Sequence, residues 1–479
     1  WRDWSSDVCS SDLYLSGSKL LKFENRKEII KIKGEKEVVV TVRDSRHGPI
    51  MNAALPELND VSANPVAASW THLKFPSNLL QVTYQLNNAS SMQEVKGAVA
   101  QIISPGLNIM YGDSSNNIAL WHAGKLIKRN PDMDPVLIQA GWKDTSEIAY
   151  YTFEEHPSIE NPARGFIVNS NQQMDTMADG TLYPGYYTPF DRYWRGEKLL
   201  KEKNNLIIDD FQVMAFDDVS PVTPLIARTI MEGVSEKVKN QNKINLFAAR
   251  KLIRWDGKHG LHDIAPTIYY KLLYHLFFEA MGDELGKEKL DAYFMTHVSK
   301  NSYLSFIKNE NSVWWNNINT KDVVESRDKI LDKAFNETVK ELIIELGSKT
   351  SAWEWGRVHE LELKHAIGKV KPFNWVFNVG PFPASGGPEV INQSGFLLSG
   401  DKVHSSLFGP AMRNIIDFKD IENAKSVLPN GQSGNLMSQW YDDQTILYLN
   451  GDYRKMKMNR EDIVKNKTGT LIFQPNGLK

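Results

Sequence analysis

The stretch Gly165-Phe166-Ile167-Val168-Asn169-Ser170-Asn171-Gln172-Gln173 decides how this chain is read. Phe166-Ile167-Val168 has the aromatic and β-branched composition of a strand and passes directly into a cluster of side-chain amides. A strand predicted over 165–168 therefore delivers carboxamides at its end. A carboxamide N–H is a neutral donor suited to a carbonyl oxygen that gains negative charge during reaction. The competing reading is that asparagine after a strand serves turn chemistry by bonding nearby backbone. Two other segments set polar groups between turn formers, as rigid scaffolds present catalytic loops. They are Arg46-His47-Gly48-Pro49-Ile50 and Asp191-Arg192-Tyr193-Trp194-Arg195.

Working outward, short extended runs ending in polar or glycine punctuation predict antiparallel sheet over about 19–42. Further strands are predicted at Leu79–Leu86, where Leu80, Val82 and Tyr84 share one face, and at Leu107–Tyr111 and Ile118–His122. Between Gly196 and Gly347 the apolar spacing becomes helical. Leu331, Phe335, Val339, Leu342 and Leu346 fall on one face, with Asp322 available to cap the start and Gly347 the end. Strand texture returns after Trp353 and continues to Leu471-Ile472-Phe473. The organisation is thus a first β-rich part at 14–195, a mainly helical insertion at 196–352 and a second β-rich part at 353–479.

The chain has 479 residues, 41% hydrophobic, with 56 basic against 58 acidic side chains. Charge this balanced gives no general attraction to polyphosphate, which argues against nucleic acid as a partner. No apolar run reaches the ~18 residues of a membrane span. The segment Trp1–Leu13, WRDWSSDVCSSDL, has neither periodicity nor the regions of a signal peptide, and Asp3–Leu13 matches the in-frame translation of a sequencing adapter. It is read as a scar. The single cysteine, Cys9, lies inside it, so disulfides, thiolate metal sites and a cysteine nucleophile are excluded. His359-Glu360 and His365 miss zinc-protease spacing, because i and i+6 fall on different faces of a helix. Gly431-Gln432-Ser433-Gly434-Asn435 has asparagine where a nucleophile elbow needs glycine. No phosphate-cradling glycine loop is present.

The quoted Gly165–Gln172 stretch resembles the strand and asparagine-rich loop of the penicillin acylase family of N-terminal nucleophile amidohydrolases. Arg192 and Arg195 follow at the family's distance. Similar stretches occur in order from Tyr14 to Lys479: DLY at Asp12, HGPI at His47, MYGDSSNNIALWHAGK at Met110, WEWGRVHELELKHAIG at Trp353, GPAMRNIIDF at Gly409, and GQSGNLMSQWYDDQ at Gly431 followed by NGDY.

The resemblance implies an α+β fold, the αββα N-terminal-nucleophile hydrolase sandwich with a large helical insertion, here incomplete. It implies a precursor that cuts itself to free an N-terminal serine, whose hydroxyl attacks an amide while its α-amine, of pKa about 8, acts as base. Asn171 would donate to the oxyanion, and Arg192, rather than Arg195, would hold that network, against the plainer role of a salt bridge closing the loop onto the helix at Gly196. His47 is left structural. The family's nucleophile lies upstream of the DLY-like segment, so the expectation is an inactive fragment of a 5′-truncated large chain. The expected partners are an amide substrate and the missing small α chain. One structural calcium ion and a periplasmic or secreted location also follow from the resemblance. The alternative is a non-catalytic binding or degenerate acylase-like protein; against it, the eleven tryptophans outside the scar form no repeated platform.

Overall fold

A computed structural model describes residues 12–130, 133–134, 137–143 and 149–474. Cys9 and the serines of the adapter-like segment lie outside the described residues. The chain divides into two compact units: the described residues up to Ile167 with Met174–Gly185, and Val168–Gln173 with Tyr186 onward.

In the first unit, β3 (Glu24–Ile30) pairs antiparallel with β4 (Val38–Ser45), and β2 (Lys19–Lys22) pairs antiparallel with β1 (Leu13–Ser16); β2 to β4 fall in the runs predicted over 19–42, while β1 lies before them. The segment expected as a strand at Leu79–Leu86 is instead a helix, α1 (Leu79–Asn88). The alternation of Leu80, Val82 and Tyr84 misled. Leu80 and Tyr84 are 90% and 69% exposed, Val82 is 2% exposed, and the face that packs is Leu79, Val82 and Leu86 at helical spacing. Next comes α2 (Met92–Val99), whose cap Ser91 accepts from the Glu94 N–H. Strands β5 (Leu107–Gly112) and β6 (Ile118–Ala123) form where predicted, and β7 (Ser158–Glu160) joins the edge of β6. Their inner residues Ala119, Trp121 and Ala123 close a core with Val82, Val99 and Ile102.

The second unit is led by helices α3 (Asp191–Lys201), α4 (Thr223–Gly233), α5 (Lys243–Ile253), α6 (Ala265–Phe294), α7 (His297–Lys308) and α8 (Arg327–Leu346). α6 breaks at Gly286, whose φ of 67° only glycine adopts readily. α8 buries Leu331, Phe335, Val339 and Leu342, as its spacing predicts, and ends at Gly347, whose N–H bonds the Ile343 carbonyl. Its start differs from expectation: Ser326, not Asp322, occupies the N-cap position, because Lys321–Ser326 is irregular. Short strands follow. β8 (His359–Leu363) pairs antiparallel with β9 (Val379–Pro383) and parallel with β10 (His404–Ser406), and β11 (Arg413–Ile415) pairs with β12 (Lys425–Val427). Leu471-Ile472-Phe473 form no strand and stand exposed.

Around Trp355 three histidines are buried among aromatic rings. The His259 ring contacts Tyr270 Oη at 3.1 Å, His359 contacts the His404 carbonyl at 2.7 Å and Ser394 Oγ at 2.9 Å, and His404 stacks on Phe396. Burial pushes His259 and His359 down to about 4 and His404 to about 3. Unfolding returns each ring to about 6.5, so between pH 6.5 and 4 the unfolded chain binds more protons and stability falls as pH falls. Burial acts oppositely on Asp191, raised to about 7, and Asp218, raised to about 6, whose protonation offsets part of that loss. Denaturation midpoints measured at steps from pH 7 to pH 4 should therefore decline; a flat or rising series would contradict the buried neutral state of these rings.

Candidate active site

The segment expected as a strand at 165–168 has no regular secondary structure and joins no ladder. It still ends in the amide cluster, for a different reason. Gly196 lies on α3 where a Cβ would come within 3.2 Å of Val168 Cγ1, so Val168 packs against bare helix backbone. From there the loop is tied by its own polar groups. Gln172 is buried and its Oε1 accepts from the Ser170 N–H at 2.8 Å, Thr188 N–H donates to the Asn171 carbonyl at 3.0 Å, and Thr188 Oγ donates to the Ser170 carbonyl at 3.0 Å.

Asn171 sits at the exposed turn of this loop with φ of 64°, a left-handed conformation that asparagine tolerates better than most residues. Arg192, in the first turn of α3, is buried and reaches back to it. Its Nη2 donates to the Ser170 carbonyl at 2.6 Å, to Asn171 Oδ1 at 3.2 Å and to Thr188 Oγ at 3.3 Å. A guanidinium has no acceptor, so the Asn171 atom facing it is the oxygen. The amide nitrogen then points away from the arginine, and no hydrogen bond to another described residue engages it. The backbone of Asn171 serves the turn, and its side-chain N–H stays without a hydrogen bond to another described residue.

Arg192 and Arg195 separate cleanly. Arg195 grips Asp217 with two bonds, Nε to Oδ1 at 2.9 Å and Nη2 to Oδ2 at 2.5 Å. Arg192 has no ion pair among the described residues, so the salt-bridge role considered for it falls to its neighbour. Burial lowers the Arg192 pKa, while Glu389 and Asp191 oppose that and favour the charged form. Glu389 is itself paired with Lys300 at 2.8 Å, and Asp191 accepts from Ser220 Oγ at 2.9 Å. Asp191 was visible in sequence as the residue before Arg192. Glu389, on a glycine- and proline-rich loop far along the chain, carried no signal.

The other candidates are structural. His47 contacts the Gly141 carbonyl at 2.8 Å, and Gly48 turns with φ of 126° where a Cβ would strike the Ala68 carbonyl oxygen. His359 lies on a strand rather than a helix, buried and hydrogen-bonded as above. Ser433 sits in a turn, with its N–H on the Trp440 carbonyl and its Oγ accepting from the Asn435 N–H. Among the described residues no three histidine, cysteine or carboxylate side chains converge as cation ligands. Asp12, in the DLY segment near which the family resemblance would place calcium ligands, lies 3.9 Å from Arg43. No described helix is long and apolar enough to cross a membrane.

A family model described as penicillin amidase matches residues 6–465, starting inside the adapter-like segment. Among curated relatives, an acyl-homoserine lactone acylase QuiP of Pseudomonas aeruginosa is 24% identical over 96% of this chain and 58% of its own length. A QuiP acylase of Pseudomonas fluorescens is 24% identical over 92% of this chain and 54% of its own length. A penicillin G acylase of Escherichia coli is 26% identical over 53% of this chain and 29% of its own. The chain thus spans little more than half of the first two. A solved structure, the thermostable penicillin G acylase of Alcaligenes faecalis, superposes with a TM-score of 0.66 at 17% identity, covering 97% of this chain and 84% of that one. The mixed α+β architecture is therefore the N-terminal-nucleophile hydrolase fold expected from sequence.

Proposed function

The chain belongs to the penicillin amidase family, and from that premise we propose that it carries the oxyanion-binding side of an amide hydrolase. In this reading a serine at a processed N-terminus, on polypeptide beyond these 479 residues, attacks the amide carbonyl. The serine O–C bond forms, the hydroxyl proton passes to the serine's own α-amine, and the carbonyl electrons move onto oxygen. Asn171 Nδ2 donates to that oxyanion. Collapse breaks the C–N bond as the proton goes to the leaving amine, and water then frees the acid from the acyl-serine.

Arg192 has two tasks here. It holds the carboxamide by Oδ1, so the donor is aimed before the substrate arrives, and its charge polarises the amide toward stronger donation. The observation that carries the proposal is the Arg192 to Asn171 bond at 3.2 Å, with the asparagine exposed and the arginine buried behind it. The substrate class is an N-acyl amide; relatives named for acyl-homoserine lactones and for penicillins set the two substrates to try. The small α chain that completes the acyl pocket, and export to the periplasm or beyond, belong to the same proposal.

The test uses two samples, the 479-residue chain and the full product of its gene, each with penicillin G and an N-acyl homoserine lactone. The full product should hydrolyse at least one, and the chain alone neither. Hydrolysis by neither sample would sink the amidase reading. Turnover by the chain alone that Asn171→Ala abolishes would instead place the nucleophile within the 479 residues.

A further inference from the structure

We infer that a pocket beside the buried guanidinium of Arg413 binds a small carboxylic acid with an apolar tail. The inference stands apart from Asn171 and Arg192 and does not need the amidase reading. Arg413, on β11, is 7% exposed. Its Nη1 donates to the Tyr448 carbonyl at 2.8 Å and its Nη2 to Asn392 Oδ1 at 2.7 Å, while Nε is buried without a partner. The guanidinium carbon stands 3.9 Å from the Tyr448 ring centre and 5.6 Å from that of Phe216. Every one of these partners is neutral.

Buried Lys271, by comparison, faces the carboxylates of Glu341 and Glu345, and half-buried Arg195 and Lys300 face Asp217 and Glu389. Arg192 is the other buried cation without an ion pair among the described residues, and it lies at the site already described. Arg413 makes no ion pair with any described residue. Burial lowers its pKa, and only the phenols of Tyr448 and Tyr453 act against that. A buried charge lacking its opposite is costly, and structures that keep one neutralise it with something else.

Space for that neutralising group lies alongside. A cavity of about 430 Å³ is lined by Arg413, Asn392, Ser394 and Ser406 on its polar side and by Leu361 and Phe408 among its apolar residues. Ligand sites typically occupy roughly 300–1,000 Å³ and combine an apolar wall with a few convergent polar groups. A guanidinium carries five N–H donors in a fork that matches a carboxylate, and two hydrogen bonds engage it here. Glu362 also lines the cavity and would repel an acid, but it is answered locally: Lys364 Nζ lies 3.7 Å from its Oε2 and Asn378 Nδ2 donates to its Oε1 at 2.9 Å. The apolar lining fits a short acyl or aryl tail behind the carboxylate.

Titration calorimetry of the 479-residue chain with phenylacetate, hexanoate and phenylacetamide tests this. At least one acid should bind saturably, and phenylacetamide, the neutral counterpart, at least tenfold more weakly than phenylacetate. Arg413→Gln should abolish binding. Because that variant could fail to fold, Asn392→Asp is the second arm: it is nearly isosteric and places a carboxylate on Nη2. It should raise the denaturation midpoint and remove acid binding. Asn171→Ala should leave binding unchanged. The inference fails if no acid saturates, if amide and acid bind alike, if Asn392→Asp still binds acid, or if Asn171→Ala removes binding, which would assign the effect to the site already described.

Discussion

Asn171→Ala, introduced into the full gene product, is expected to lower kcat by about 10²–10³-fold with KM little changed, the loss seen when one oxyanion donor is removed. The split between kcat and KM follows from where the donor acts, since negative charge builds on the carbonyl oxygen only as the transition state forms. The backbone complicates the variant. Asn171 has φ of 64°, and alanine there costs on the order of 1–2 kcal/mol, so loop distortion could imitate a lost donor. Asn171→Gly separates the two, because glycine accepts the conformation and still lacks the amide. Both variants should lose the same activity. Full activity in the glycine variant would show that the residue serves only the turn, and kcat within a few-fold of wild type in both would remove Asn171 from the reaction.

The candidate site was legible to the extent that its residues are local in sequence. Asn171 and Arg192 stand in two short polar segments, and the conformation that joins them needs only a loop, a tight turn and the first turn of α3. The choice between Arg192 and Arg195 was not local. It turns on Asp217, which takes Arg195, and on Gln172 and Thr188, which shape the loop that Arg192 reaches. The fold shows the same division. α8 was readable because its apolar face, from Leu331 to Leu346, repeats over about four turns, whereas α1 was misread because Leu80, Val82 and Tyr84 fit a period of two. A short segment fits both periods, and only the packing partners Val99 and Trp121 decide which face is buried. The strand expected at 165–168 failed for the complementary reason: composition favours a strand but cannot supply a neighbouring ladder.

Lys271→Met is expected to destabilise the second unit by about 3–5 kcal/mol, the usual result of removing one partner from a buried charge pair. Sequence gave no warning of this residue, which sits in the apolar run of α6 among Tyr269, Tyr270, Leu272 and Leu273. Its ammonium is 2% exposed and lies within hydrogen-bond reach of four acceptors, Glu341 Oε1 at 3.0 Å and Glu345 Oε1 at 3.1 Å on α8, and the Gly400 and Asp401 carbonyls at 3.0 and 3.2 Å. One cation therefore joins two helices and a loop. Methionine fills the space of the stem but leaves two carboxylates and two carbonyls facing no donor, with His275 Nε2, 2.5 Å from Glu341 Oε2, as the remaining positive partner when protonated. The pH response identifies the cause. In the native protein burial pushes both carboxyls up and Lys271 opposes it, which leaves Glu341 below its ordinary value and Glu345 above it. Without it both carboxyls move upward in the folded state from where they stand in the native protein, so the variant should regain stability relative to wild type as pH falls, and lose it as pH rises. Urea denaturation of both proteins at pH 5 and pH 8 measures this. A difference that is large but equal at the two values would mean that Lys271 contributes packing alone, and one below about 1 kcal/mol at both would place it with exposed ion pairs.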